Sequence, residues 1–377
     1  MGTSRKIKIG VLTSSRADFG IYLPLLKKLR AKNEEFELNI IAFGSHTSSH
    51  YGLTKTEIRN QGFEISTEID TVLPSDDVAS VAQSFALTNM EFSKFWATNQ
   101  NTFDWVLCLG DRFEMAAAVI AGIPFQIKFA HIHGGETTLG AIDNTYRHAI
   151  TLASSMHFVS ADAFKERVTQ LTLTSDNVYV TGALSLDNLS EIPFLTKEEF
   201  QEKWNIDLSK PSILITIHPE TVAFENNAEY AERASLALEE LCSTHQLIIT
   251  MPNADTMGSV FRKKFEQLQK ENSAVVFTIE NFGTQSYFTC MKYCDFLLGN
   301  TSSGIIEAAS FNKYVINIGD RQKGRLCSEN VIHVAFDTTQ IIAASQKISG
   351  LQFEGKNIYA RGLAAPIILD ALKMNTL

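Results

Sequence analysis

Short β-rich apolar runs recur along this chain, separated by segments of helical periodicity, and that alternation restricts the fold more than any single residue does. The first half contains KIKIGVLT, FELNIIAFG, WVLCLG, FQIKFAHIH, MHFVS and NVYVTG; the pattern restarts with SILITIHP, QLIITMPN, AVVFTI, FLLGN, YVINIG and VIHVAF. Parallel strands have to be joined by crossovers, usually helices, so the alternation reads as βαβ units built into parallel sheets. Between the two sets lies LSEIPFLTKEEFQEKWNIDLSKP, polar and free of strand signals, which reads as the linker region. At 377 residues the chain exceeds what one core holds. An α/β protein of two doubly wound domains is therefore expected. Open parallel sheets bind ligands beyond the C-terminal ends of their strands, which puts the expected site in the cleft between the domains.

Composition narrows the partners. The 33 basic and 42 acidic side chains leave a net charge of −9, which argues against nucleic acid or an anionic membrane as a partner. A small anion held by a few local donors is compatible with it. With 45 % apolar and 20 % charged residues, this is an ordered globular composition. No apolar stretch reaches the roughly 18–20 residues that span a bilayer, and the first residues resemble neither a signal peptide nor a myristoylation signal. A cytoplasmic protein is expected. The cysteines Cys108, Cys242, Cys290, Cys294 and Cys327 form no CxxC and suggest neither a disulfide framework nor a zinc ribbon. Cys290 and Cys294, spaced i, i+4, read as buried thiols.

Chemistry-bearing residues gather where strands give way to helices. Arg16 in SRADFG follows the first apolar run, where backbone N–H groups and a helix dipole favour an anion; the competing reading is an exposed loop with Asp18 as helix cap. The loop is not GxGxxG, so the dinucleotide fingerprint is absent. In CLGDRFEM, Asp111 and Arg112 stand at a strand end, and a helix cap alone would explain Asp111. HIHGGETTLGAIDNTYRHAI changes that weighting: His131, His133, two glycines and Glu136 end one strand, and Asp143, Arg147 and His148 open the next helix. Asp111, Glu136 and Asp143 would then share one rim of the sheet, where crowded carboxylates acquire separated pKa values suited to acid and base work. The paired glycines would let a ligand approach the backbone. Metal-binding spacings such as HExxH are missing, so no metal is expected.

In the second half, His218 in ITIHPE and Asn253 in ITMPNAD end strands. GNTSSGIIEAAS puts Thr301 and Ser302 at a hydroxyl-rich helix start with Glu307 one turn on, an anion cradle beside an acceptor for vicinal hydroxyls. An ordinary N-cap has the same geometry. Arg321 in NIGDRQKGR adds a cation toward the same rim.

Taken in order, SRAD, GSH, GDR, HIHGGE with IDNTYRH, HPE, PNAD, GNTSSG and GDRQKGR resemble the hydrolysing UDP-N-acetylglucosamine 2-epimerases of bacterial sialic-acid pathways, over nearly the whole chain. The resemblance implies a glycosyltransferase-B fold of two Rossmann-like domains closing over a UDP-sugar. Residues 1–188 would carry the catalytic carboxylates and 189–377 most of the UDP contacts, with the last helix packing back on the first domain. It implies Arg16, Arg112, Asn253, Phe282, Thr301, Ser302, Glu307 and Arg321 as substrate-binding residues. Asp111, Glu136 and Asp143 fall on catalytic positions, and His218, at a nucleotide-contacting position, is counted with them. One departure shows: the family's turn usually reads GNSS, and here Thr301 replaces the first serine while keeping a hydroxyl.

The implied reaction converts UDP-N-acetylglucosamine and water to UDP and N-acetylmannosamine, with no cofactor or metal, in a homo-oligomer (dimer or tetramer). A carboxylate takes the carbon 2 proton as UDP leaves, giving a glycal; water then adds at carbon 1 and a proton at carbon 2 from the opposite face. The alternatives are a hydrolysing 2-epimerase for UDP-2,4-diacetamido-2,4,6-trideoxyglucose and a non-hydrolysing UDP-N-acetylglucosamine 2-epimerase. A glycosyltransferase of the same fold would need an acceptor, and a non-catalytic nucleotide-sugar sensor would have no use for three cleft carboxylates.

Overall fold

The computed structural model describes residues 5–49, 53–73, 75, 77–140, 142–220, 224–252, 258–280 and 282–376. Its strands are β1 (Ile7–Thr13), β2 (Phe36–Phe43), β3 (Thr67–Ile69), β4 (Trp105–Leu109), β5 (Phe129–Ile132), β6 (Met156–Val159), β7 (Val178–Val180), β8 (Ser212–Thr216), β9 (Gln246–Thr250), β10 (Val276–Ile279), β11 (Phe296–Gly299), β12 (Val315–Ile318) and β13 (Val331–Val334). They form a 7-stranded sheet in the order β3-β2-β1-β4-β5-β6-β7 and a 6-stranded sheet in the order β10-β9-β8-β11-β12-β13. Every pairing is parallel. Each apolar run of the sequence becomes a strand. The addition is β3, whose three residues, TEI, are too few to display a period of two.

Two compact units result: residues 1–136, 143–191 and 361–377 in one, 137–142 and 192–360 in the other. In the first, alternation along β1 sends Ile7, Ile9 and Val11 to one face, where Phe19, Tyr22, Leu25, Leu26 and Leu29 of the helix Arg16–Ala31 cover them. Leu12 faces the other way, into a cluster with Phe92, Trp96, Met115 and Val119. A sheet covered on both faces needs strands apolar throughout, which is why β4 reads WVLCL. In the second unit Ile213 and Ile215 of β8 pack with Leu247, Phe261, Phe265 and Leu298 in a separate core.

Two local expectations change. The segment read as linker holds the helix Lys197–Trp204, fixed by a capping box in which Thr196 and Glu199 exchange side-chain-to-backbone bonds. In SRADFG the helix starts at Arg16, before Asp18 and Gly20, and its cap is Ser15, whose hydroxyl accepts the Asp18 N–H at 3.3 Å. Asp18 instead reaches back to the Ser14 N–H at 3.0 Å and its hydroxyl at 2.6 Å, fastening the end of the strand to the first helical turn.

Strand order reverses between β1 and β4 in one sheet and between β8 and β11 in the other. Crossovers leave such a point in opposite directions and open a crevice over the strand ends. Residues 14–16 and 110–112 follow the first pair, and 217–220 and 300–302 the second. Among the described residues no helix is long and apolar enough to cross a membrane.

The helix Ala364–Met374 belongs to the first unit and is tied there by Asp187. This carboxylate is 1 % exposed and accepts the Ala364 and Ala365 N–H groups, each at 2.8 Å. Burial raises its pKa, and the two amide donors oppose the rise. Replacing Asp187 by Ala strands two buried donors and should cost about 2 kcal/mol of stability, read as a lower unfolding midpoint in calorimetry. Asp187→Asn, which keeps one acceptor oxygen, should lose less.

Candidate active site

In the first unit Asp111 follows β4, Glu136 ends the turn after β5, and Arg147 lies in the next helix, Asp143–Ala153. The Arg147 guanidinium is 2 % exposed and forms an ion pair with Asp111. Its Nη1 donates to the His133 carbonyl at 2.7 Å and lies 3.8 Å from the Glu136 carboxylate. One cation therefore serves two carboxylates, offsetting the cost of burying Glu136 at 1 % exposure. The same Glu136 Oε1 accepts from the Ser160 hydroxyl at 2.7 Å and lies 2.7 Å from His133 Nδ1. A carboxylate oxygen only accepts, so Nδ1 carries a proton there. His133 Nε2 is buried without a hydrogen-bond partner among the described residues.

His133 also has φ 65°, a left-handed conformation that is costly for any residue with a Cβ. Its N–H bond to the Phe158 carbonyl at 2.9 Å and the Arg147 bond to its own carbonyl hold it there. The neighbouring glycines are required by packing. A Cβ on Gly135, at φ 74°, would lie 2.6 Å from the Phe164 carbonyl, and one on Gly134 would lie 2.9 Å from His131 Nδ1. The close neighbours are the helix Asp162–Thr172 and the His131 ring.

Of the other residues named for this unit, Asp143 opens the helix that carries Arg147. Arg112 precedes the helix Phe113–Gly122 and directs its guanidinium to Glu114 at 2.7 and 3.2 Å. Arg16 is half-buried; burial raises the pKa of Glu57, and the Arg16 charge opposes that rise.

In the second unit three strand ends are linked by polar groups. Asn300, fully buried after β11, accepts the His218 N–H on its Oδ1 at 2.7 Å and donates Nδ2 to the His218 carbonyl at 2.8 Å. The Asn300 carbonyl accepts from Gln322 Nε2 at 2.8 Å and from Arg321 Nη1 at 3.3 Å. Glu220, 5 % exposed after β8, accepts the Asp320 N–H at 2.6 Å. His218 and Arg321 are thus brought into one connected set. Thr301 caps the helix Ser302–Ile306 by accepting the Ser303 N–H at 3.4 Å, and Glu307, 6 % exposed, ends it. The Phe282 ring is 6 % exposed and packs 4.8 Å from Trp204 and 5.6 Å from Phe200, so most of its surface is given to the core. Asn253 lies outside the described residues.

A family model described as UDP-N-acetylglucosamine 2-epimerase matches residues 27–373. The chain belongs to this family. It is 34 % identical over 349 residues to the GDP/UDP-N,N'-diacetylbacillosamine 2-epimerase (hydrolyzing) of Campylobacter jejuni, covering 93 % of this chain and 89 % of that one. Identity is also 34 % to the UDP-N,N'-diacetylbacillosamine 2-epimerase (hydrolyzing) of Legionella pneumophila, over 97 % of this chain and 95 % of that protein. The polysialic acid biosynthesis protein P7 of Escherichia coli is 32 % identical over 89 % of this chain and 84 % of its own length. Among solved structures, the Neisseria meningitidis UDP-GlcNAc 2-epimerase bound to UDP-GlcNAc superposes with a TM-score of 0.80 at 20 % identity, covering 98 % of this chain and 100 % of that one. The two parallel-sheet units are those of the glycosyltransferase-B fold that this enzyme family uses.

The residues that hold an epimerase's carboxylates in place were less visible in the sequence than the carboxylates. Arg147 sits four residues after Asp143 on one helix, a spacing that puts both on one face, but the sequence does not show that its guanidinium is buried between two carboxylates. Ser160 follows β6, the strand beside β5, so only the sheet order reveals that it reaches Glu136. Asn300, Gln322 and Glu220 look like turn residues until their partners are known.

His131 braces the strand end that carries Asp111. Its Nε2 faces the Gly110 carbonyl at 2.9 Å, just before Asp111, and its Nδ1 faces the Thr151 hydroxyl at 3.1 Å. Burial drives its pKa down to about 3, so the ring is neutral, with the proton on Nε2 and Nδ1 accepting. A folded pKa below the unfolded value means that the unfolded chain binds the proton first as pH falls. This contribution is complete above the unfolded pKa near 6.5 and is lost progressively between there and about 3. Between pH 7 and 5, wild type should lose about 2 kcal/mol more stability than His131→Gln in denaturant titrations. Equal losses would show that His131 takes up its proton while folded.

Proposed function

We propose that this protein is a hydrolysing 2-epimerase of a UDP-2-acetamido-2-deoxy sugar, releasing UDP and the 2-epimeric free sugar. The observation that carries the reading is the meeting of Asp111, Glu136 and Arg147 beyond the C-terminal ends of the adjacent strands β4 and β5, in a chain matched over residues 27–373 by an epimerase family. In this reading the reaction balances in two steps. A base removes the carbon 2 proton, the carbon 1–oxygen bond to UDP breaks, and a carbon 1–carbon 2 double bond forms. Water then adds its oxygen to carbon 1 while an acid delivers a proton to the opposite face of carbon 2. Asp111, Glu136 and Asp143 are the proton-transfer groups. Arg16, Arg112, Arg321, Thr301, Ser302 and Glu307, with His218, Asn253 and Phe282, bind the nucleotide and favour the departing diphosphate.

For the sugar, the two relatives at 34 % identity favour nucleotide-linked N,N'-diacetylbacillosamine, the 2,4-diacetamido-2,4,6-trideoxy compound, named with UDP in one and with GDP/UDP in the other. A second reading, UDP-N-acetylglucosamine, is supported by the 32 % identity to the polysialic acid biosynthesis protein. Incubating the enzyme with each nucleotide sugar in EDTA and following UDP and free sugar together tests both. Free 2-epimeric sugar from one substrate alone assigns it, and UDP-linked epimer without free sugar would replace hydrolysis with the non-hydrolysing reaction. Loss of turnover on chelation, restored by a divalent ion, would overturn the metal-free scheme.

Asp111→Asn, Glu136→Gln and Asp143→Asn should each lower turnover by roughly 10²–10⁴-fold while leaving UDP affinity nearly unchanged. A variant lacking only the hydration step should release UDP and accumulate glycal; one lacking the first base should do neither. Near wild-type turnover in all three variants would reduce these carboxylates to structural partners of Arg147 and of helix starts.

A further inference from the structure

We infer that Glu220 is a positioning residue for nucleotide binding, holding the 319–322 turn in the conformation that presents Arg321. The inference rests on the UDP-binding reading above and adds a residue to it. Burying the Glu220 carboxylate is costly, and the Asp320 and Arg321 N–H groups and the Arg321 charge oppose that cost. Glu220 finds these partners in the turn itself: its Oε1 accepts the Asp320 N–H at 2.6 Å, one residue before Arg321. The turn in turn is shaped to the carboxylate. Gly319 has φ 72°, and a Cβ there would lie 2.3 Å from Glu220 Oε1 and 2.5 Å from the Phe336 ring.

Glu220 does not drift to meet the turn, because its own backbone is clamped at both ends. Asn227, fully buried, accepts the Glu220 N–H on Oδ1 and donates Nδ2 to the Glu220 carbonyl, both at 2.9 Å. The turn closes back on the strand end beside it, where Gln322 and Arg321 donate to the Asn300 carbonyl and the Asn300 amide brackets the His218 backbone. His218, Glu220, the turn and Asn300 form one closed polar ring over the ends of β8, β11 and β12. Glu220 is the member of that ring whose side chain holds the Arg321 segment. Removing the carboxylate frees the Asp320 N–H and lets Arg321 leave the position that the ring sets.

The test is UDP affinity by calorimetry on the full chain, for wild type, Glu220→Ala, Glu220→Gln, Arg321→Ala and the Glu220→Ala/Arg321→Ala double variant, with each unfolding midpoint recorded. Glu220→Ala and Arg321→Ala should each weaken UDP binding about tenfold. The double variant should be no weaker than Arg321→Ala alone, because one residue acts through the other. Glu220→Gln keeps an acceptor for the Asp320 N–H and should recover most of the affinity. A lower midpoint with wild-type UDP affinity in Glu220→Ala overturns the inference, as do multiplying losses in the double variant or an unaffected Arg321→Ala. Should Glu220→Ala not fold, Gly319→Ala decides: its Cβ presses on the same carboxylate, and unchanged UDP affinity there overturns the inference. Wild type that does not bind UDP would instead overturn the functional reading on which the inference stands.

Discussion

The buried guanidinium of Arg147 is the interaction on which the acidic end of the first sheet depends. Two carboxylates close together repel, and one of them, Glu136, is almost fully withdrawn from water. A cation within reach of both lets Asp111 and Glu136 share a site. The bond from Arg147 to the His133 carbonyl does a second task, holding a left-handed residue that the turn would otherwise have to give to glycine. Arginine suits this position because its planar fork serves several acceptors at fixed angles; a lysine would offer a point charge.

The second unit solves a related problem with neutral amides. Strand ends carry unpaired backbone groups, and burying them requires partners. Asn300 supplies both a donor and an acceptor to one residue, His218, and its own carbonyl is taken up by Gln322 and Arg321. Such a set fixes geometry more than it adds stability, since each bond replaces one to water and contributes roughly 1 kcal/mol. What it secures is a single arrangement of the turns. A partly satisfied version would leave buried donors exposed to their full desolvation cost. The helix Ser302–Ile306 begins inside this frame, so its cap, Thr301, inherits a fixed position.

The fold was legible in the sequence because parallel sheets advertise themselves: strands buried on both faces are mostly apolar, and β1, β4, β8 and β11 stand out as such. What escaped was short or local. β3 has only three residues, and the SRADFG helix starts at Arg16 because Ser15 accepts the capping bond that the competing reading of the loop gives to Asp18. In the site, Asp111, Glu136 and Asp143 were visible as acids at strand ends and helix starts, where the doubly wound architecture gathers ligands. Their supports were not, because a partner is a property of sheet order. Ser160 meets Glu136 only because β6 lies beside β5, and Glu220 meets Asp320 across 100 residues of chain.

The distribution of these residues bears on how such a chain would choose its sugar. Elimination and hydration involve carbons 1 and 2 and the diphosphate, which UDP-N-acetylglucosamine and its 2,4-diacetamido-6-deoxy relative have in common. Groups that serve this shared part bind both substrates alike and cannot discriminate between them. The difference is an acetamide against a hydroxyl at carbon 4 and a methyl against a hydroxymethyl at carbon 6. An apolar surface rejects an added hydroxyl weakly, whereas a site built to hydrogen-bond a hydroxyl or amide rejects the analogue lacking it strongly. Selection therefore falls to residues outside the proton-transfer and diphosphate sets, at positions where one polar side chain gained or lost changes the preferred sugar. On the proposed roles, the Arg147 cluster and the Asn300 ring need not alter for that to happen, so substrate preference can shift while both stay fixed.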